Sequence, residues 1–158
     1  MNKRKGIVVI TSCLLVGLSA CSLKELEKIK TIGENMEPTI DKNTTFFVTK
    51  NPEAIKRLKR FDIVAYSYPQ SKRPNVGRII GLPGEKITYQ GDKLYINNKE
   101  VAEPHLKKAK ENIIDDYPLT FDFTLEKLLE KDVIPDNEYF IMGDNRRKSK
   151  DSRMIGTI

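Results

Sequence analysis

The loop formed by residues 33–40 has residue types that could present polar groups to a substrate carbonyl. Pro38 fixes its own φ and restricts Glu37 to extended conformations, so we expect a rigid bend after Gly33. Such a bend can present one side chain and a pair of backbone N–H groups to a carbonyl oxygen, as an oxyanion hole does. The side chain presented here is that of Asn35. A carboxamide is a poor nucleophile, and many turns share this pattern, so the loop by itself does not identify a reaction.

Three further segments follow the loop in a characteristic order. Residues 61–64 read Phe-Asp-Ile-Val, and residues 75–85 read Asn-Val-Gly-Arg-Ile-Ile-Gly-Leu-Pro-Gly-Glu. Residues 143–153 contain Gly-Asp-Asn-Arg followed by Ser-Lys-Asp-Ser-Arg. In order and spacing, the chain resembles the bacterial type I signal peptidases, the S26-like Ser/Lys proteases, over residues 31–158. The family segments read S-M-x-P-T, G-D-I-V, K-R-I-I-G-L-P-G-D and G-D-N-R-x-x-S-x-D-S-R.

The resemblance places both catalytic positions on residues that cannot perform the chemistry. It puts the nucleophile at Asn35 and the general base, a lysine directly before the Arg-Ile-Ile-Gly run, at Gly77. A Ser/Lys dyad needs a lysine of lowered pKa that accepts the serine proton, and glycine supplies no base. Arg78 cannot replace that lysine because a guanidinium stays protonated. We therefore predict a divergent, inactive member, in which Asn35→Ser with Gly77→Lys restores hydrolysis if the groove is intact.

The family's supporting residues are present. The resemblance implies that Ser149 corresponds to the serine that hydrogen-bonds the catalytic lysine, and that Asp151 and Arg153 form an ion pair bracing the site. The complete supporting set predicted here is Met36, Pro38, Arg78, Asp144, Ser149, Asp151 and Arg153. Without a lysine to orient, these residues are expected to act as a structural platform. Ser149 or Ser152 as a replacement nucleophile is the alternative, although no adjacent base is visible in the sequence.

Short strands are the elements that must position these residues. β-Branched and aromatic residues, bounded by turn residues, predict strands at 44–49, 62–68, 78–82, 86–89, 93–96 and 138–142. Gln90-Gly91-Asp92 predicts a hairpin turn. Thr124 is a plausible N-cap for a short helix at 125–129. We expect a mostly β domain, a signal peptidase I-like fold of short antiparallel strands with little helix, interrupted by a surface insertion at about 104–138.

The first 20 residues resemble a lipoprotein signal peptide. Basic residues at 3–5 precede an uncharged run of 15 residues, which is short for a membrane span. Leu-Ser-Ala-Cys at 18–21 resembles the bacterial lipobox, which implies cleavage before Cys21 and diacylation of its thiol. Residues 21–30 would then be a polar tether or short helix between the membrane and the domain at 31–158. An uncleaved N-terminal anchor helix, which type I signal peptidases usually carry, is the alternative.

Composition narrows the range of partners. The leader's three basic residues supply half of the formal charge of +6, and no Lys/Arg run is interleaved with aromatic residues. Nucleic acid is therefore not expected as a partner, whereas attraction to an anionic membrane surface is. His105 is the only histidine and is expected to be solvated. No Cys/His/Asp cluster has ligand spacing, so we expect neither a metal nor a cofactor.

Three functions remain open at this point. The first is a lipid-anchored, extracytoplasmic binding module for exported preproteins, signal peptides or an active signal peptidase. The second is a serine-type endopeptidase that cleaves signal peptides through a non-standard dyad. The third is a passive structural lipoprotein. Family members usually continue beyond the position of Ile158, so the resemblance also implies an exposed strand edge or a more open groove here.

Overall fold

The computed structural model describes residues 6–10 and 26–158, which form two antiparallel sheets. The first set of strands is β1 (Gly6–Ile10), β2 (Leu26–Lys30), β3 (Thr45–Thr49), β4 (Ile63–Ser67) and β5 (Asn75–Gly81). The second set is β6 (Ile87–Gln90), β7 (Lys93–Ile96), β8 (Lys99–Val101), β9 (Phe123–Thr124) and β10 (Phe140–Met142). The larger sheet has the order β10-β5-β4-β1-β3-β2, and the smaller has the order β8-β7-β6-β9.

Helices are short and lie between the strands. They are α1 (Pro52–Lys56), α2 (Lys107–Glu111), α3 (Leu125–Leu129) and α4 (Ser152–Ile155), with a 3₁₀ turn at Pro104–Leu106. The dominance of short antiparallel strands confirms the predicted fold class. Among the residues that the structure describes, no helix is long and apolar enough to cross a bilayer.

Two buried clusters hold the sheets in place. One joins β5 and β10 of the larger sheet to β6, β7 and α3, and it includes Ile80, Tyr89, Leu94, Leu125 and Phe140. The other packs β4, β5 and β10 together through residues that include Val64, Tyr66, Ile79 and Ile141. Since β5 and β10 contribute to both clusters, these two paired strands connect the halves of the core.

The local predictions for the turn and the helix cap are confirmed. Gly91 and Asp92 connect β6 to β7 with φ of 57° and 59°, the left-handed pair that a two-residue hairpin turn requires. Thr124 Oγ1 accepts a hydrogen bond of 3.1 Å from the backbone N–H of Lys127, which caps α3. In both cases the residues that determine the local structure are neighbours in the chain.

The insertion at 104–138 is more than a surface feature. Leu106, Ala109 and Leu119 form a small buried cluster of their own. Leu125 and Ile134 are fully buried in the cluster that joins the two sheets, and β9 extends the smaller sheet. The prediction of a surface insertion is therefore wrong for these parts, because apolar residues spaced among charged ones turn toward the core.

The N-terminal part also differs from expectation. Of the predicted tether at 21–30, residues 26–30 form the edge strand β2, in which Ile29 lies opposite Phe46 of β3. That pairing lets a polar stretch form a strand that its own sequence does not indicate. Gly6–Ile10 of the predicted leader pairs with β3 and β4. The lipobox and Cys21 lie outside the described residues.

Candidate active site

The loop at residues 33–40 closes on itself before it meets the rest of the domain. The backbone N–H groups of Thr39 and Ile40 both donate to the carbonyl oxygen of Met36, at 2.8 and 2.9 Å. Glu37 N–H donates to Glu34 O at 3.1 Å, and the Glu37–Pro38 peptide bond is cis. The Met36 side chain is buried and anchors the loop, which is therefore the tight bend that the sequence predicts.

The segment after β10 holds this loop from the other side. Asn145 donates its backbone N–H to Asn35 O at 2.9 Å and its side-chain amide to Glu34 O at 3.0 Å. A Cβ atom on Gly143 would lie 2.3 Å from Asn35 O and 2.3 Å from Ser149 Oγ. Only glycine allows an approach this close, so Gly143 brings the Asn35 loop and the segment at 143–153 together.

The Asn35 side chain faces an open cavity of about 230 Å³. The cavity is lined by Thr31, Ile32, Gly33, Asn35, Met36, Ile40, Ser71, Lys72, Arg73, Pro74, Asn75 and Val76. Asn35 Oδ1 lies 3.4 Å from the point where a Cβ on Gly33 would sit, so the amide folds back along its own loop. A group bound in the cavity would meet a carboxamide, which can donate and accept hydrogen bonds but is a poor nucleophile.

The space beside Gly77, where the family base would begin, is filled. A Cβ atom on Gly77 would lie 2.6 Å from Ile141 Cγ2, 3.1 Å from Tyr66 Cε1 and 3.3 Å from Met142 O. A contact of 2.6 Å between carbon atoms is well inside their optimal separation of about 3.5–4.0 Å. Restored hydrolysis by Asn35→Ser with Gly77→Lys stays a prediction, and it requires Ile141 to shift so that the lysine side chain fits.

Tyr66, which helps to fill that space, does not supply the missing base. Its side chain is almost fully buried, and its hydroxyl donates to Lys150 O at 3.3 Å. Burial, and then the negative charge of Asp151, raise the pKa of Tyr66 well above its ordinary value. The phenol therefore stays protonated at neutral pH and cannot take a proton from a nucleophile.

Neither of the two serines considered as a replacement nucleophile has a base in reach. Ser149 Oγ is buried and makes no hydrogen bond to any residue within the described ranges. Ser152 is fully buried, and its Oγ accepts the backbone N–H of Ile141 at 2.9 Å. The Ser149 hydroxyl thus has no base as a hydrogen-bond partner among the described residues, and it forms no new dyad there.

The predicted ion pair between Asp151 and Arg153 forms, and Asp151 makes further hydrogen bonds to the backbone. Arg153 donates Nε and Nη2 to the two carboxylate oxygens of Asp151, at 2.8 and 2.7 Å. Asp151 is fully buried, accepts the backbone N–H of Gly143 at 2.9 Å, and caps the N-terminus of α4. The pair therefore fixes the glycine against which the Asn35 loop rests.

Arg78 and Asp144 make a second buried pair. Arg78 donates Nε and Nη2 to the two oxygens of Asp144, at 2.8 and 2.6 Å, and Nη1 to Phe61 O at 2.9 Å. This bidentate geometry is the stronger form of a carboxylate–guanidinium contact. The pair links β5, at the residue after Gly77, to the segment that follows β10.

Comparison with known proteins identifies the family of this chain. Residues 4–158 match the family described as signal peptidase, peptidase S26. The chain belongs to that family. It is 40% identical to signal peptidase I of Bacillus caldolyticus over 126 residues, which are 80% of this chain and 68% of the relative. It is 41% identical to signal peptidase I V of Bacillus subtilis (strain 168) over 129 residues, 82% of this chain and 76% of the relative.

A solved structure supports the same assignment. The crystal structure of a signal peptidase I from Enterococcus faecalis V583 is 41% identical, with a TM-score of 0.61. The similarity covers 65% of this chain and 89% of that one. The signal peptidase fold, recognised from the segments around Asn35, Gly77 and Gly143, is therefore shown.

Several residues of this signal peptidase-like site escaped the sequence analysis. Arg146 is fully buried and donates Nη1 to Tyr89 Oη at 2.7 Å and to Thr120 Oγ1 at 3.1 Å, and Nη2 to Glu103 Oε1. Its Nε donates to Gly143 O at 3.1 Å. Arg146 thus ties the insertion to the glycine beneath the Asn35 loop. Its position directly after Asn145 in the family segment is the signal that could have identified it.

His105 is a further correction, since it was expected to be solvated. Its side chain is only 10% exposed, and its ring lies 4.9 Å from that of Phe61. Neither ring nitrogen has a hydrogen-bond partner among the described residues, and Nε2 lies 3.7 Å from Glu103 Oε1. Burial, and then the positive charge of Arg78, lower the pKa of His105 to about 4, so the ring is neutral at physiological pH.

Phe61 explains how His105 comes to be covered. It replaces the glycine of the family segment and has φ of 73°, a left-handed conformation that costs a residue with a Cβ about 1–3 kcal/mol. Its ring packs against His105 and against the cluster that joins the sheets. The contacts of the ring with His105 and with this cluster offset part of this cost.

Among the residues that the structure covers, no group of three or more His, Cys, Asp or Glu side chains could hold a metal ion.

Proposed function

We propose that this chain is a catalytically silent signal peptidase-like protein that binds extended segments of exported polypeptides, signal peptides among them. Membership of the family indicates a membrane-associated protein facing away from the cytoplasm. The observation that carries the proposal is the filled space at Gly77, where Ile141 Cγ2 stands 2.6 Å from the point at which a side chain would begin. The place of the base is occupied, while the cavity at Asn35 is open.

The edge of β5 supports peptide binding. Ile79 exchanges backbone hydrogen bonds with Phe61 and Asp62, so alternate residues of β5 direct their N–H and C=O groups to opposite sides. Val76 therefore directs its groups away from β4. On that side β10 ends at Met142, opposite Arg78, so Asn75–Gly77 pair with β4 alone among the described strands. An extended peptide can add there as a strand, which requires no Ser/Lys chemistry.

A working endopeptidase has less support. Ser149 has no partner in hydrogen-bond reach within the described part of the chain, and Ser152 is committed to the backbone of Ile141. Removing a catalytic serine or its base from a serine protease costs about six orders of magnitude in turnover. A chain that lacks both is therefore expected to bind its peptide without cleaving it.

Binding is tested with a fluorescent peptide that has an apolar stretch followed by Ala-x-Ala, the pattern of a signal-peptide end. Saturable binding to the purified domain is expected. Asn35→Trp fills the cavity and should abolish it. Tyr117→Trp, at an exposed position that does not line the cavity, should leave it unchanged. If the peptide does not bind, or if both variants bind alike, the binding role is wrong and a passive surface lipoprotein is left.

The anchor is proposed from the lipobox. Cleavage before Cys21 and diacylation of its thiol would hold the domain at the extracytoplasmic face of the membrane. The same cleavage would withdraw β1 from its place between β3 and β4. Intact-mass measurement of the protein extracted from membranes distinguishes the two forms. A chain that begins at a lipidated Cys21 is expected, and a chain that retains residues 1–20 would contradict the proposal.

A further inference from the structure

Two cations line the cavity beside Asn35. Of the residues that line it, Lys72 and Arg73 carry charge, and no carboxylate lines the cavity within the described ranges. The other residues are polar or apolar, with Ile32, Met36 and Val76 among the apolar ones. The net charge of the lining is therefore positive.

Unlike the two lysines beside Glu34, these cations have no anionic partner in the described part of the chain. Lys42 Nζ and Lys148 Nζ lie 3.2 and 3.6 Å from the carboxylate of Glu34, next to Asn35. Their charges, beginning with the hydrogen bond from Lys42, lower the pKa of Glu34 and keep it ionised. Lys72 and Arg73 form no ion pair with any residue that the structure describes, so their charge is available to a ligand.

The turn that carries the two cations is held by its own hydrogen bonds. Ser71 donates its backbone N–H to Tyr68 O at 2.9 Å, and its hydroxyl donates to Arg73 O. Asn75 donates its side-chain amide to Ser71 Oγ at 3.0 Å. The backbone of the turn is thereby fixed relative to the start of β5 at Asn75.

We propose that this cavity selects extended peptides that carry an acidic side chain where they pass Lys72 and Arg73. The inference rests on the proposed function, because it needs the peptide to lie along Asn75–Gly77. Lys72 and Arg73 lie in the turn that precedes β5. The acidic residue should therefore fall beyond the part of the peptide that lies along Asn75–Gly77, on the side of Asn75.

The test uses a series of labelled alanine- and leucine-based peptides in which one Glu is placed at each position in turn, with Gln as the matched neutral residue. Binding is measured by fluorescence anisotropy in low salt. Glu at one or two adjacent positions should tighten binding about threefold to tenfold, the size expected for one or two exposed ion pairs. Salt at about 0.5 M should remove this preference but leave the Gln peptides bound.

The matched variants are Lys72→Ala with Arg73→Ala and Lys56→Ala with Arg57→Ala. Each pair removes one lysine and one adjacent arginine, but Lys56 and Arg57 do not line the cavity. The first variant should lose the preference for Glu and keep its affinity for the Gln peptides. The second should retain the preference. If both variants lose the preference for Glu equally, the preference depends on net charge alone and the inference is wrong.

The remaining outcomes separate the two proposals. If Gln peptides bind and Glu gives no preference at any position, acidic selectivity is wrong while peptide binding stands. If no peptide binds, both proposals fail. Vesicles of phosphatidylglycerol test the rival explanation that the cations meet an anionic lipid surface, with phosphatidylcholine vesicles as the neutral control. The inference is wrong if the wild type shows no preference among the peptides and the first variant loses binding to phosphatidylglycerol. Lys72 and Arg73 would then bind lipid instead.

Discussion

The effect of Gly77→Ala on the free energy of unfolding tests whether the space beside residue 77 is filled. Gly77→Ala places a Cβ 2.6 Å from Ile141 Cγ2 and 3.1 Å from Tyr66 Cε1, both in the buried core. In open space the change from glycine to alanine stabilises a protein by about 0.4–1 kcal/mol through the unfolded state. Forcing an extra carbon into a packed core costs about 1–3 kcal/mol. A rise in the free energy of unfolding would therefore indicate an open site, and a fall would indicate a filled one.

We expect Gly77→Ala to lower the free energy of unfolding by about 1–3 kcal/mol, which corresponds to about 2–4 °C in Tm for each kcal/mol. Ile141→Leu keeps the side-chain volume but removes Cγ2, and alone it should cost less than about 1.5 kcal/mol. Combined with Gly77→Ala, it should recover part of the loss, with a coupling of about 0.5–3 kcal/mol. Urea unfolding followed by circular dichroism measures all three variants.

Gly33→Ala is the control for this series. Its Cβ would lie 3.4 Å from Asn35 Oδ1, an ordinary contact, so the change should be neutral or slightly stabilising. A Gly77→Ala protein more stable than the wild type would refute the filled site. So would strict additivity with Ile141→Leu, because the two residues could not then be in contact.

Three shorter predictions concern the surroundings of the site. Ser149→Ala should leave the Tm unchanged or raise it, because the buried hydroxyl has no described partner to lose; a loss of several degrees would show that it is engaged. Asp144→Ala should cost about 3–5 kcal/mol of unfolding free energy, because Arg78 is left buried and unpaired; a loss below about 1 kcal/mol would show that the pair is solvated. The pKa of His105 is lowered to about 4 in the folded state, so the unfolded chain binds its proton first, and stability should fall as the pH drops from about 6.5 toward 4. His105→Gln should flatten that part of the Tm profile, and an unchanged profile would count against the buried neutral ring.

Features set by neighbouring residues were predictable from the sequence. The turn at Gly91 and the cap at Thr124 depend on local backbone conformation, so a few residues suffice to specify them. The pairing of Asp151 with Arg153 was reached through the family resemblance, and the structure shows the two side chains in contact. The short strands followed from β-branched and aromatic residues between turn residues.

Features set by distant partners were not predictable. The filled space at Gly77 depends on Ile141, which is 64 positions away and belongs to another strand. The ring of His105 lies against Phe61, which is far from it in sequence. Strand β2 forms because β3 offers a partner, although its own charges indicate an exposed tether. In each case tertiary contacts override what the local segment prefers.

The central claim is that this protein holds a peptide without breaking it. The most direct measurement incubates an excess of purified protein with a bound Ala-x-Ala peptide and follows the peptide's mass over hours. The account predicts that the peptide remains at its original mass throughout, with no covalent adduct on the protein. Steady appearance of two fragments, abolished by Ser149→Ala and undiminished by further purification, would contradict it.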